Sequence, residues 1–394
     1  MALIVQKFGG TSVASIEQIK NVAQKIKQAK LAGDDVVVVA SAMAGITDQL
    51  INLCKQVANI EDVNQMQEYD SIIATGEKVS CGLLALALQA EGIKARSWQG
   101  WQIPINTDEA FSKGRISQID TSLLTEAIAN DEVPVITGFQ GVHNNRIVTL
   151  GRGGSDTSAA AIAAALKADR CDIYTDVDGI FTADPNIVKS ARKLSYISYQ
   201  HILELASSGA RVLHPRAIEI AYKYKVNVRV LSTFNNNDGT MLLHDDSVIE
   251  QHQITGIAFD SKIAVIQVQD IVDSHAMQNA IYNEFLKFSI KPMLYNSTEH
   301  NISFVIHDTD ASNAAKVLTS LAIKHKVIND VSLVSLVGIG VKSDPSILQQ
   351  VFSILKAEGI STLLLTNSEI KISFVIPSQQ VHNIVNKLHD SFCV

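Results

Sequence analysis

Up to about residue 235 the chain alternates short β-branched runs with longer stretches of helical period. Leu3–Gln6, Val36–Ala40, Val133–Thr137, Asp172–Thr175 and Val226–Leu231 read as buried strands. Between them, Ile16–Ala29, Lys78–Ala90 and Thr157–Ala168 are amphipathic or alanine-rich and predict helices. Strand–helix alternation implies the α/β class, with a mostly parallel sheet covered by helices on both faces. Ligands of such sheets bind beyond the carboxyl ends of the strands, so the loops that follow the strands matter most.

The turn-forming cluster Asn235-Asn236-Asn237-Asp238-Gly239 marks a boundary, and the pattern changes after it. Sliding the chain by 70 positions (372 minus 302) brings Ile302-Ser303-Phe304-Val305-Ile306 onto an identical Ile372-Ser373-Phe374-Val375-Ile376. Ile290 then meets Ile360, Leu294 meets Leu364 and Glu299 meets Glu369, without a gap. Ile263–Gln269 and Leu333–Gly338 open the two copies, and Ile281–Lys287 and Val351–Lys356 follow as helices. Each copy reads strand, helix, strand, strand, helix, the pattern of a ferredoxin-like α+β unit. Three domains are therefore expected, over residues 1–240, 250–325 and 326–394.

Composition narrows the function classes. A chain of 394 residues, 46% hydrophobic and 19% charged, exceeds one hydrophobic core. Its formal charge of −7, with no basic run, argues against nucleic acid or an anionic membrane as partner. No stretch has the roughly 18 to 20 uninterrupted apolar residues of a membrane span. The N-terminal residues lack a signal-peptide layout. Cys54, Cys81, Cys171 and Cys393 have neither metal-ligand spacing nor a disulfide framework. The expected location is the cytoplasm, and no dedicated protein metal site is expected.

Three segments carry candidate chemistry. Lys7-Phe8-Gly9-Gly10-Thr11-Ser12 lies between the first strand and a helix. Its glycines let backbone N–H groups approach an anion, and Lys7 supplies a mobile charge for a phosphoryl group. It is not the Walker pattern, which occurs nowhere in the chain. The second segment, Leu150-Gly151-Arg152-Gly153-Gly154-Ser155-Asp156, also opens a helix. Arg152 can hold a carboxylate bidentately. Asp156 in the first turn is either a helix stabiliser or part of a site. The third, Asp172 to Pro185, ends a strand in Thr175-Asp176 and continues through Gly179, Phe181 and Asp184. Its carboxylates suit a nucleotide pocket, turns or a metal, and spacing does not choose among them. Ser41–Asp48, Thr75-Gly76-Glu77 and Gly209–Arg216 are weaker signals, each compatible with capping or turns.

Taken together, Lys7–Ser12, Gly151–Asp156, Thr175–Pro185 and Gly209–Pro215 resemble the signature segments of aspartate kinases in order and spacing. The C-terminal repeat resembles that family's paired ACT domains, so the likeness runs almost end to end. The resemblance implies an amino-acid kinase fold with two ACT units and transfer of the γ-phosphate of ATP, with Mg²⁺, to the β-carboxylate of L-aspartate. It implies that Lys7, Asp156 and Arg152 serve catalysis and that Thr47, Glu77, Arg152 and Ser155 hold aspartate. By the same resemblance, Lys7, Phe8, Gly9, Gly10, Ser41, Thr175, Asp176, Gly179, Phe181, Asp184 and Arg211 bind the nucleotide. Met293, Ser361, Thr366, Asn367 and Ser368 would lie at effector positions for lysine or threonine. A homodimer through the ACT units, and a tetramer beyond it, would follow.

The chain departs from the family at the effector loops. Ile290-Lys291-Pro292-Met293 replaces the usual Ile-Asn-Val-Asp, and Ile360-Ser361 replaces Ile-Asn. Weakened or absent feedback is the expectation, with the ACT pair acting mainly as a dimerisation surface. A same-fold kinase for glutamate, acetylglutamate or carbamate fits less well, because Arg152's loop and the repeat accompany aspartate kinases. A catalytically dead regulator would have lost Lys7, Arg152 or Asp156. A dehydrogenase is disfavoured because Gly338-Ile339-Gly340, the nearest approach to its glycine fingerprint, lies inside the repeat.

Overall fold

A computed structural model describes residues 1–60, 62–210, 212–244, 254–269, 274–298 and 301–393. Two units divide the chain: one of Met1–Ile180, Lys193–Leu203 and Arg211–Ile249, the other of Phe181–Arg192, Glu204–Ala210 and Glu250–Val394.

The first unit holds strands β1 (Leu3–Phe8), β2 (Asp35–Ala40), β3 (Ala95–Trp98), β4 (Ile105–Thr107), β5 (Ile116–Ile119) and β6 (Val133–Thr137). They are followed by β7 (Gln140–His143), β8 (Arg146–Thr149), β9 (Arg170–Thr175), β10 (Tyr196–Ser198), β11 (Val228–Ser232) and β12 (Thr240–Leu243). Eight of these form one sheet in the order β10-β12-β11-β9-β1-β2-β6-β3, and β5-β4-β7-β8 form a smaller one. Every pair in the large sheet is parallel except β11 with β12. The five strands legible in the sequence are its five contiguous central members, where burial on both faces favours a mainly apolar run.

Period-two alternation decides what each face receives. Phe8, Val36, Val38 and Val135 meet Ile19, Val22 and Ile26 of the helix Ile16–Leu31 and Leu84 and Leu88 of the helix Thr75–Ala90. The helix Gly154–Leu166 packs on β1, β2 and β9, and its alanines let it approach closely. One helical run, Val63–Ala90, is long and apolar enough to cross a membrane, and half of its most apolar window is buried in the fold. It also carries Asp70 and Glu77 inward, as a core helix of this unit does.

The second unit is a single antiparallel sheet of β13 (Gly256–Val268), β14 (Leu294–Ser297), β15 (Ile302–His307), β16 (His325–Val337), β17 (Leu364–Asn367) and β18 (Lys371–Pro377). Its order is β14-β15-β13-β16-β18-β17. The identical pentapeptides are β15 and the centre of β18, and Ile290 and Ile360 are both buried. The two copies are not separable, however. β13 and β16 pair along most of their length. Residues 263–268 open the first copy against β15, while residues 256–260 lie against the second copy's part of β16. The boundary expected at 325/326 therefore falls at the start of a strand both copies share.

The expected catalytic span 1–240 also needs correction, because two of its segments fold with the second unit. Ala183 and Val188 are buried in that unit's apolar cluster. Glu204 forms an ion pair with Lys371 at 2.6 Å. Gly209 has φ +114, and a Cβ there would stand 2.1 Å from the Phe259 carbonyl oxygen, so close backbone contact requires glycine. Glu299 of the repeat lies outside the described residues.

Candidate active site

β1 delivers Lys7 and Phe8 to opposite faces. Phe8 is fully buried and stacks on Tyr174 with ring centroids 4.7 Å apart. Strand alternation commits the Phe8 side chain to the core, so the expected nucleotide role of Phe8 would fall to its backbone. Lys7 faces the other way, and its Nζ stands 2.6 Å from Asp156 Oδ1, both side chains nearly buried. The loop after β1 is tied down by its own backbone. Gly9 N–H donates to the Tyr174 carbonyl on β9 (3.2 Å), and Ala44 N–H donates to the Gly10 carbonyl (3.2 Å).

A cleft of about 290 Å³ opens there. Its walls include Lys7, Gly10, Ser41, Thr47, Glu77, Arg152, Ser155 and Asp156, which come from four separate parts of the sequence. Glu77, in the first turn of its helix, is 3% exposed. Its Oε1 accepts from Ala42 N–H at 3.0 Å, whereas the buried Oε2 has no hydrogen-bond partner among the described residues. Burial pushes this carboxyl up from 4.5 to about 7, offset only in part by the Ala42 N–H. Arg152 is exposed at the same cleft. One wall thus offers a buried carboxylate lacking a cation, while a guanidinium and an ammonium face the same space.

The Arg152 loop is held from outside the motif. Gly153 has φ +68, and a Cβ on it would meet His214 at 2.3 Å. Arg216 donates to the Leu150 carbonyl (2.7 Å) and to the Gly114 carbonyl. Asp70, fully buried, accepts from Ser112 N–H (2.8 Å), Thr149 N–H (2.7 Å) and Thr149 Oγ1 (2.8 Å), fixing the strand that runs into the loop. Burial raises the Asp70 carboxyl despite those bonds. Phe139 lines the cleft with φ +69, rare for a non-glycine residue; its N–H donates to Ser158 Oγ and its carbonyl accepts from Leu150 N–H. Sequence reasoning passed over Phe139 and Asp70 and, from the residues alone, read Gly209–Arg216 as a cap or turn. That cap is present, since His214 Nδ1 accepts from Arg216 N–H.

The remaining nucleotide candidates lie elsewhere. Thr175 and Asp176 stand where β9 ends beside β1, and Thr175 Oγ1 donates to Asp176 Oδ1 at 3.1 Å. Gly179, at φ +143, packs its backbone on Thr240 Oγ1. Phe181 and Asp184 belong to the second unit, where the Asp184 carboxylate accepts from Asn186 N–H (2.9 Å) and closes a turn. Arg211 lies outside the described residues. Asp172 is no ligand candidate, because Arg170 and Arg229 both grip it at the centre of the sheet. Among the effector candidates, Met293 precedes β14 at one edge of the second sheet, while Thr366 and Asn367 end β17 at the other and Ser368 follows it. Ser361 is exposed in the loop before β17. Among the described residues no group of three or more His, Cys, Asp or Glu could hold a metal, and the four cysteines are buried and free.

Comparison with known proteins agrees with this architecture. The amino acid kinase family matches residues 2–232, and an ACT domain matches residues 334–392. An aspartokinase of Rickettsia felis is 44% identical over 406 aligned residues, covering 100% of this chain and 99% of that one. Aspartokinase 2 of Bacillus subtilis is 41% identical, covering 100% and 98%. The structure of E. coli aspartokinase III in complex with aspartate and ADP covers both chains fully with a TM-score of 0.87; at 23% identity this is a likeness of fold. With full-length relatives above two-fifths identity, and its catalytic and ACT portions both matched, the chain belongs to the aspartokinase family.

Proposed function

We infer that the cleft beside Lys7 is where L-aspartate meets the terminal phosphoryl group of ATP. The chain is an aspartate kinase: it phosphorylates the β-carboxylate of aspartate to 4-phospho-L-aspartate, the first step toward the aspartate-derived amino acids. The observation that carries the site assignment is the charge layout, with Glu77 at one wall lacking a cation among the described residues and Arg152 and the Lys7–Asp156 pair around it.

In this reading Glu77 receives the α-ammonium group, while Arg152 holds a carboxylate and Thr47 and Ser155 complete the acceptor side. A β-carboxylate, with a reference pKa near 3.9, is already ionised at neutral pH and needs no strong base. Its oxygen attacks the γ-phosphorus as the bond to the bridging oxygen of ADP breaks. Catalysis then consists of alignment and of neutralising charge on the transferring group. Lys7 supplies that charge, Asp156 fixes where its ammonium sits, and the Gly9-Gly10 loop lies on the phosphate side. Ser41, Thr175, Asp176 and Gly179 extend the nucleotide side. Magnesium comes as part of the MgATP substrate, in keeping with an ion that stays on phosphates and water.

The ACT sheet serves as a dimerisation surface, with a tetramer as the next level of assembly, and the altered loops respond weakly to lysine or threonine. The enzyme works in the cytoplasm. Hydroxylamine trapping of the acyl phosphate tests the core of this reading, with aspartate, glutamate, acetylglutamate and carbamate offered in parallel. Turnover with aspartate is expected; turnover with another acid alone would reassign the acceptor.

A further inference from the structure

Residues 181–192 form a hairpin that leaves the first unit and is built into the second. Thr182 N–H donates to the Arg192 carbonyl (2.9 Å), and the Thr182 carbonyl accepts from Ile257 N–H (2.8 Å). Ala183 and Val188 are buried in one apolar cluster with Val385 and Leu388 of the last helix, Val381–Phe392. Asn386 Nδ2 donates to the Ile187 carbonyl (3.2 Å), and the Arg192 guanidinium donates to the Cys393 carbonyl.

At the centre of this contact lies His389, fully buried. Its Nε2 is 2.8 Å from Thr182 Oγ1 and its Nδ1 is 3.2 Å from Ser190 Oγ. The proton positions follow by elimination. Ser190 Oγ donates to Asp390 Oδ1 (3.0 Å), which commits its single hydrogen. Ser190 Oγ therefore accepts from Nδ1–H of a neutral imidazole, whose Nε2 must accept from the Thr182 hydroxyl. Thr182 Oγ1 in turn accepts from Arg192 N–H (3.0 Å), which closes the hairpin. Each hydrogen in this relay has one destination, so the relay specifies one conformation of the hairpin.

The hairpin's first limb is continuous in the chain with Thr175–Gly179. We propose that His389 is a positioning residue for nucleotide use: by clamping Thr182 and Ser190 it fixes the chain that runs back into the Thr175–Gly179 segment, and so sets affinity for MgATP and ADP. This rests on the assignment of that segment to the nucleotide. It gives the C-terminal helix, 207 positions beyond Thr182 in the chain, a role in substrate binding separate from effector sensing.

The test uses the full chain. Thr182→Val removes the hydroxyl and keeps the shape, Ser190→Ala removes the acceptor of Nδ1–H, and Thr182→Ser restores the hydroxyl. Thr182→Val and Ser190→Ala should weaken ADP in a binding titration, and raise KM for MgATP, by about fivefold or more, the scale of a modest coupling between sites. KM for aspartate should stay unchanged, and Thr182→Ser should behave as wild type. A folded Thr182→Val protein with wild-type ADP affinity would overturn the proposal, as would equal losses for MgATP and aspartate. The ADP titration needs no acceptor, so a wild-type chain that binds ADP but ignores aspartate would overturn the acceptor assignment alone.

Discussion

Replacing Glu77 by Gln should make the empty enzyme more stable and a poorer binder of aspartate. The amide keeps an oxygen to accept from Ala42 N–H but cannot ionise. In the wild type, burial lifts the carboxyl from 4.5 to about 7, which corresponds to about 3 kcal/mol against the ionised form at about 1.4 kcal/mol per unit. The sign follows from linkage. Between about pH 4.5 and 7 the unfolded chain has released this proton while the folded chain retains it, so stability falls as pH rises through that window and levels off above it. The Gln variant lacks this loss. Relative to wild type it should therefore gain up to about 3 kcal/mol between about pH 5 and pH 8, read from urea midpoints at the two values. Aspartate's ammonium supplies the partner that Oε2 lacks, so binding favours the ionised carboxylate and expels a proton. KM for aspartate should accordingly fall in the wild type as pH rises through about 7. In the variant it should be at least about tenfold higher, the scale of losing a charged hydrogen bond, and flat over the same range. A Gln variant with wild-type KM and wild-type pH slope would place the amino group elsewhere. An unchanged pH dependence of stability would show that Glu77 is not the buried group that titrates.

Other expectations are simpler to state. Lys7→Ala should lower kcat by about a hundredfold or more, the scale of losing one donor aimed at developing charge, and near-normal turnover would remove Lys7 from the mechanism. Arg152→Ala should raise KM for aspartate by about tenfold or more with a smaller effect on kcat, since a charged hydrogen bond to bound substrate is lost; an unchanged KM would assign the carboxylate to another residue. Half-maximal inhibition by lysine or threonine should lie above about 1 mM, a binding energy of only about 4 kcal/mol, and tighter inhibition would show that Lys291-Pro292 and Ser361 still support sensing.

How much of this was legible depends on the range of the interaction. The five central strands announced themselves because a strand covered on both faces has little freedom in composition, and the glycine segments followed them as parallel-sheet topology requires. The repeat was visible because both copies bury the same face. Their shared strands were not, since the pairing of residues 256–260 with β16 is a matter of register that neither strand records alone. Phe8 shows how far each kind of reading reaches. Motif resemblance puts the residue beside the nucleotide, while plain alternation beside Lys7 sends its side chain to the core.

The residues that hold the site in shape were the least legible, for a physical reason. A glycine loop advertises itself through backbone freedom, a local property. Asp70, Arg216 and His389 act through partners 42 to 207 positions away. Each is a buried or half-buried polar group, and burying such a group costs free energy unless its partners are in place. The sequence displays the group without its partners, so a capping arginine and a clamping one look the same until the fold brings the carbonyl within reach. Resemblance to a family cannot close that gap by itself, because it transfers roles only along matched motifs. The hairpin of residues 181–192 makes the point sharply: its first residues belong to a segment that resembles a nucleotide motif, yet Ala183 and Val188 fold into another core. What looked like one loop of one domain is a segment with two obligations, and a change made to suit either one will be felt by the other.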